Sequence, residues 1–312
     1  MKKLAVLIIS LLVLLTGCSS TNETKNNKLN IVCTVFPQYD FVREIAKDRV
    51  NLSILLPPGS EAHSYEPSAD NIIALNNADL FIGIGGESEH WAERLLNGVK
   101  NDGLKTIFLI DSVDGVTEEF TEGMEKTSHN HEKGHEHKYD EHIWTSIENA
   151  IIMCDKICQS LCEIDSENSE FYENNNSLYK DKLNKLQSKY EAILKDAKRN
   201  TIVFGDRFPM RYLTESLGLN YFAAFPGCSS KTEPSAKTIA YLSDKVLSEN
   251  IPVVFYMDYS DGRIAKSIAK QSGAKAIRLY SCHNLSKKDY ESGQSYLSLM
   301  TKNASSLREA LR

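Results

Sequence analysis

Five of the chain's eight histidines fall within positions 129–142, in the segment His129-Asn130-His131-Glu132-Lys133-Gly134-His135-Glu136-His137-Lys138-Tyr139-Asp140-Glu141-His142. Neutral imidazole is the commonest side-chain ligand for borderline metals, and a polar tract this rich in it reads as metal binding. A purification tag would be an unbroken run at a terminus, which this segment is not. His129, His131, His135 and His137 are therefore candidate accessory metal ligands. Another histidine, His63, stands in Pro57-Pro58-Gly59-Ser60-Glu61-Ala62-His63-Ser64-Tyr65-Glu66-Pro67-Ser68, a loop expected just past a strand. Hydrolytic zinc chemistry needs an open coordination position and a nearby base, and no His-Glu-x-x-His helix supplies them. Gly83-Ile84-Gly85-Gly86-Glu87-Ser88 misses the dinucleotide fingerprint because position 88 is serine, and no Walker lysine occurs. The chain is expected not to be an enzyme.

The elements that must carry these histidines alternate between strand-like and helix-like patterns. Strands are expected over residues 29–35, 51–56, 79–84 and 106–110. Helices are expected over 39–47, 68–77 (Ser68 as N-cap) and 89–99. Residues 145–163 read as a helix whose stripe carries Cys154, Cys158 and Cys162 among Ile147, Ile151, Ile157 and Leu161. Residues 166–199 hold no proline or glycine and read as one long helix, its apolar positions Phe171, Leu178, Leu183, Leu186, Tyr190 and Leu194 mostly at helical intervals. The pattern then restarts: strands at 201–204, 251–256 and 276–279, helices at 211–217, 262–271 and 294–311. Such alternation predicts an α/β fold of two lobes, each a parallel sheet flanked by helices, joined by one long rigid helix. The expected organisation is an N-terminal lobe at 29–165 with a His-rich loop at 127–141, a linking helix at 166–199, and a C-terminal lobe at 200–312. Ligands of open α/β sheets dock at the carboxyl ends of the strands, which places the site between the lobes.

Lys2 and Lys3 followed by an apolar run over 4–15 fit a signal peptide, too short to span a bilayer as a helix. The run ends in Leu15-Thr16-Gly17-Cys18, which resembles the lipobox of bacterial lipoproteins. That resemblance implies removal of residues 1–17, lipidation of Cys18 and a tether over 18–28, holding the chain outside the cytoplasm on the cell membrane. Without Lys2 and Lys3 the formal charge passes from −6 to −8, with 34 basic against 42 acidic residues. No basic patch suggests nucleic acid, and a mildly acidic surface suits a cation-binding protein. Beyond Cys18 stand Cys33, Cys154, Cys158, Cys162, Cys228 and Cys282. Export permits disulfides, but the i, i+4, i+8 spacing of three of them is that of small hydrophobes on a helix face. A thiolate metal site there is the sharper alternative, and unpaired cysteines in an exported chain hint at reducing surroundings.

Taken together, Pro57-Pro58-Gly59 with His63-Ser64-Tyr65-Glu66-Pro67-Ser68, the His-rich loop and Asp140-Glu141-His142-Ile143-Trp144 resemble the metal-binding lipoproteins of zinc and manganese ABC importers, the cluster A-I solute-binding proteins. The opening Val35-Phe36-Pro37-Gln38-Tyr39-Asp40-Phe41-Val42 and the closing Gly293-Gln294-Ser295-Tyr296-Leu297-Ser298-Leu299-Met300 extend the likeness over nearly the whole mature chain. The resemblance implies that His63 and His142 are the first two metal ligands. The family's third ligand, a His or Glu, matches a segment Val203-Phe204-Gly205-Asp206-Arg207-Phe208-Pro209 that has neither. Here the match is shifted by about a residue and the segment is slightly longer than usual. Asp206 is the nearest donor, and Arg207 could instead pair with it. The acidic fourth ligand falls on Ser281-Cys282-His283-Asn284, so His283 replaces it, with Cys282 as a soft competitor and Glu66 and Asp258 as further acidic candidates. Three histidines and one carboxylate suit zinc, whereas manganese prefers more oxygen. The implied role is a monomer that captures zinc (or manganese) between its lobes for an ABC permease and its ATPase. The His-rich loop would collect zinc more weakly, and a metal-dependent surface adhesin is the alternative.

Overall fold

The computed structural model describes residues 28–125, 139–227, 229 and 233–312, with the backbone alone for His63 and Glu87. Cys18, Cys228, His129, His131, His135 and His137 lie outside the described residues. Strands β1 (Asn30–Cys33), β2 (Asn51–Ile54), β3 (Leu80–Gly83) and β4 (Lys105–Phe108) form one sheet in the order β2-β1-β3-β4. Strands β5 (Thr201–Phe208), β6 (Asn220–Pro226), β7 (Val253–Met257) and β8 (Lys275–Leu279) form a second, ordered β6-β5-β7-β8. Every pairing in both sheets is parallel. The strand order reverses at β1 in one lobe and at β5 in the other, so a crevice opens at the carboxyl ends of β1 and β3 and again at those of β5 and β7.

Helices α1 (Phe36–Ala46), α2 (Ala69–Asn76), α3 (His90–Leu96) and α4 (Ile147–Ile164) belong to the first lobe. Helix α5 (Ser169–Lys195) links it to α6 (Arg211–Leu217), α7 (Ala236–Ser248), α8 (Arg263–Ser272), α9 (Lys287–Glu291) and α10 (Tyr296–Leu311). Ser68 caps α2 as expected, its N–H donating to Asn71 Oδ1 at 2.8 Å. Strand β6 and helices α7 and α9 escaped the sequence reading. β6 is bounded by Asn220 and Pro226 and holds Ala223 and Ala224, poor strand formers that blunt the signal of Tyr221, Phe222 and Phe225. The start of α7 was nonetheless signalled by Ser235, whose hydroxyl accepts the Thr238 N–H.

The 27 residues of α5 span about 40 Å at 1.5 Å per residue. Its buried positions, Tyr172, Asn176, Tyr179, Leu183, Leu186, Tyr190 and Ile193, alternate in steps of four and three. Of the apolar positions on the helix, Leu183, Leu186 and Tyr190 are buried, while Leu178 is 53% exposed and Phe171 and Leu194 are only partly buried. Tyrosines share the buried face by burying their rings, and Tyr172 and Tyr190 also satisfy their hydroxyls. Tyr190 donates to Met300 O in α10 at 2.8 Å, and the Asn175 amide donates to Ile45 O in α1 at 3.0 Å. One rigid element therefore grips both lobes. In α4, Cys154 and Cys158 are buried beside Ile157 and Leu161, while Cys162 is half-buried. All five described cysteines are free thiols, and burial pushes the Cys154 thiol well above its ordinary range, as suits a packing residue.

Candidate metal centre

Where the two crevices face each other, the lobes enclose a cavity of about 40 Å³. That volume admits an ion and excludes a small organic ligand, which needs roughly 300–1,000 Å³. The first lobe lines it with Ser60, Glu61, Ala62 and His142, the second with Arg207, Asp258, Ser281 and His283 among others.

His142 is buried at the entry to α4. Its Nδ1 lies 3.0 Å from Asp140 Oδ1, which also accepts the His142 backbone N–H at 2.8 Å. A carboxylate on Nδ1 fixes the tautomer that presents Nε2 as the donor to a metal. Burial works against a charged ring, but Asp140 outweighs it, and the His142 pKa is raised above 6.5. Asp140 is itself held by both lobes: its N–H donates to Val116 O at 2.8 Å, and Tyr212 in α6 donates to its carbonyl at 2.8 Å.

His283 comes from the loop between β8 and α9. The residue before it, Cys282, has φ 58°, the left-handed region that a non-glycine residue adopts only under local constraint. Cys282 is fully buried, directs its Sγ at Tyr280 O (3.8 Å) and is not part of the cavity wall, so it does not compete for an ion there. The strained turn sends His283 into the cavity instead, with its N–H donating to Ser281 Oγ at 3.2 Å. The His142 and His283 rings, one from each lobe, have centroids 5.5 Å apart. Two imidazoles bound at ~2.1 Å with tetrahedral geometry would place theirs roughly 5 Å apart. Trp144 braces the pair, its ring centroid 5.4 Å from His142 and 4.9 Å from His283. The Trp144 indole N–H also donates to Ser281 O at 2.8 Å, and Tyr296 of α10 donates to Trp144 O at 2.6 Å.

Asp206, the expected donor, lies outside the cavity wall, whereas Asp258 lies within it. The Asp206 Oδ1 accepts the Arg207 backbone N–H at 2.9 Å and its Oδ2 accepts that of Met257 at 3.4 Å. The cause is a register irregularity in β5 between Phe204 and Arg207, where the strand carries extra length and changes which side chain it aims at the site. Gly205 lies within it, and a side chain there would run into the α8 backbone, 2.6 Å from Ala265 Cα. Arg207 reaches the cavity in place of Asp206, and its guanidinium pairs not with Asp206 but with Glu61, at 2.9 Å. Asp258, at the end of β7, supplies a carboxylate in the wall. Its Oδ1 accepts the Ser281 N–H at 3.1 Å, and burial, offset in part by that bond, pushes its pKa up to about 6.

His63 occupies the short turn Ala62–Ser64, next to Ala62 of the wall. The Asn284 amide pins the preceding loop, donating to Pro57 O at 2.8 Å and Ser60 O at 3.0 Å. Without the His63 side chain, no three His, Cys, Asp or Glu side chains among the described residues make up a metal-holding group. Two histidines, His142 and His283, and two carboxylates, Asp258 and the Arg207-paired Glu61, line the cavity without forming such a group, and a third histidine stands on the adjoining turn. Sequence reading overlooked Asp140, Tyr212 and Gly227. Asp140 was signalled by its place two residues before a candidate ligand. A side chain at Gly227 would stand 3.2 Å from His142 Cε1, a closeness that only the folded chain reveals.

The model of the family described as zinc-uptake complex component A periplasmic (ZnuA) matches residues 31–310. The zinc-binding lipoprotein AdcA of Streptococcus pneumoniae R6 is 32% identical over 313 residues, covering 99% of this chain and 61% of AdcA. The chain thus spans about three-fifths of the length of the first curated relatives it matches. The high-affinity zinc uptake system protein ZnuA of Bacillus subtilis 168 is 29% identical, with 96% of this chain and 94% of that protein covered. The Zn(II)-bound ZnuA-like domain of S. pneumoniae AdcA superposes with TM-score 0.74 at 29% identity, over 91% of this chain and 99% of that one. The metal-dependent lipoprotein YcdH of B. subtilis gives 0.77 at 26%, with 91% and 99% covered. A family match over nearly every described residue, on the fold expected of it, leaves one conclusion: the chain belongs to the ZnuA family of zinc-uptake complex component A proteins.

Proposed function

We propose that this protein captures zinc in the cavity between its lobes and delivers it to an ABC-type importer, a permease with its ATPase, while anchored outside the cytoplasm by a lipid on Cys18. The observation that carries this is the approach of His142 and His283 from opposite lobes to 5.5 Å around an ion-sized cavity. His63, His142 and His283 are the nitrogen ligands in this reading. Asp258 is the carboxylate, taking the place expected for Asp206. Three imidazoles and one carboxylate favour zinc over manganese. Zinc-binding relatives of 29–32% identity support the same cargo. His129, His131, His135 and His137 act as a lower-affinity collector beside this site.

The test is a competitive titration of residues 19–312 with zinc and manganese, for the parent and for His283→Ala. Tight zinc binding with weak manganese, lost in the variant, is expected. Manganese preference or an unaffected variant would overturn the three-histidine site. Deleting 129–137 should leave one tight zinc per chain and remove the weaker binding, and loss of the tight site would refute the collector role.

A further inference from the structure

Arg207 is the anomaly in the cavity wall. A guanidinium is permanently charged and has only donors, so it cannot ligate a cation and repels one. Yet the β5 bulge turns it into an ion-sized space while Asp206 stays out. Its Nη2 donates to Glu61 Oε2 at 2.9 Å and its Nη1 to Ser229 O at 3.3 Å. Glu61 belongs to the first lobe and is two residues from His63, whereas Arg207 and Ser229 belong to the second. The pair is part-exposed, with 22% of the Arg207 side chain and 36% of the Glu61 side chain reached by solvent. It therefore stands at the mouth and not in the floor of the cavity. The deeper contacts between lobes are of another kind. Tyr212 to Asp140, Trp144 to Ser281 and Tyr296 to Trp144 are buried and uncharged on at least one side.

We propose that Arg207 and Glu61 form a gate across the mouth of the cavity, one jaw from each lobe, which must part for zinc to enter or leave. In the closed gate the guanidinium holds Glu61 and the loop before His63 close to the second lobe. An arriving dication competes for the carboxylate and repels the guanidinium, so the pair opens toward solvent. A part-exposed ion pair is weak enough to do this readily. Exchange is thereby slowed in both directions with little effect on affinity. The inference rests on the zinc-capture reading.

The test is stopped-flow measurement of zinc association and chelator-driven release, together with equilibrium affinity, on the mature chain. The variants are Arg207→Met, Arg207→Lys, Glu61→Gln and the Arg207→Met/Glu61→Gln double variant. For a gate, Arg207→Met and Glu61→Gln each raise both rates about tenfold, the double variant adds nothing further, and Arg207→Lys lies between. Through-space charge alone would make Arg207→Met and Glu61→Gln act in opposite directions on affinity, and that result, like unchanged rates or additive effects, overturns the gate. His283→Ala separates the two claims. If it loses zinc while Arg207→Met exchanges like the parent, the gate alone falls; if it binds zinc normally, the cavity is not the site and both fall.

Discussion

In the first lobe every strand is four residues long and none lines the cavity, whereas in the second β5 runs eight residues and both it and β7 contribute to the wall. The first lobe reaches the site through loops, at Ser60–Ala62 and at His142, and these loops are tied down by side chains of the other lobe. The second brings Arg207, Asp258 and His283 on or just beyond its strands. The same strand order thus serves two tasks. One sheet is a platform whose site residues must be fixed by partners, and the other is a frame whose strand geometry chooses the site residues directly. A bulge of one residue matters in the frame, and hydrogen bonds to loops matter on the platform.

The sharpest break in this comparison is loss of a histidine from either side. His142→Ala and His283→Ala should each weaken zinc by more than the ~10–100-fold typical of outer-shell changes. A competition titration in which either variant keeps parental affinity would remove that residue from the site. Next comes the frame itself. Asp258→Asn should weaken zinc strongly while Asp206→Asn, on the outer side of the bulge, leaves it within a few-fold; the reverse order would return Asp206 to the metal.

The platform is probed by Asp140→Asn, expected to weaken zinc by ~10–100-fold. Asp140 raises the His142 pKa above 6.5, so a proton competes with zinc for that ring. The asparagine variant should therefore lose zinc on acidification at lower pH than the parent, despite its weaker plateau. An unchanged midpoint would show that the proton resides elsewhere.

A smaller effect concerns the metal-free chain. Burial, partly offset by neighbouring donors or Arg43, pushes Asp40 and Asp258 up to about 6 and Glu89 up to about 7, from ordinary values of 3.8 and 4.5. The folded chain then holds more protons than the unfolded one between those limits, so its stability rises as pH falls from 7 toward 4.5. His142, with its raised pKa, adds in the same direction, its contribution fading as pH climbs through the folded value. Thermal melts of the metal-free chain should move up over this range, and zinc should stabilise it most at the upper end. The smallest effect is on the link between lobes. Tyr190→Phe removes the bond to Met300 O and should cost about 1 kcal/mol of stability without changing zinc affinity.

Much of this was legible in the sequence where the signal is local. The alternation of apolar runs announced two parallel sheets, and His142 stood in a motif with its own orienting carboxylate beside it. What was hidden depends on register and on distant partners. On α5 the buried Tyr172, Asn176 and Tyr190 read as polar until their partners, Asp165, Asp155 and Met300, are in place. That Asp258 and not Asp206 lines the cavity was hidden because a bulge leaves no mark on residue type. The turn that delivers His283 depends on a left-handed cysteine, which no propensity favours.

Helix α10 begins where Tyr296 N–H donates to Asp40 Oδ2 at 2.8 Å, across 256 positions of chain, and the Tyr296 ring meets Phe41 edge-on at 4.9 Å. The first helix of the fold therefore waits for the last one. Until α10 arrives, Asp40 lacks that donor, Phe41 lacks its ring partner and the carbonyl of Trp144 lacks its hydroxyl. Closing a loop of that length is slow compared with local helix formation. The first lobe completes these contacts only when the last helix is in place, so shortening α10 at its start should loosen α1 at the other end of the chain.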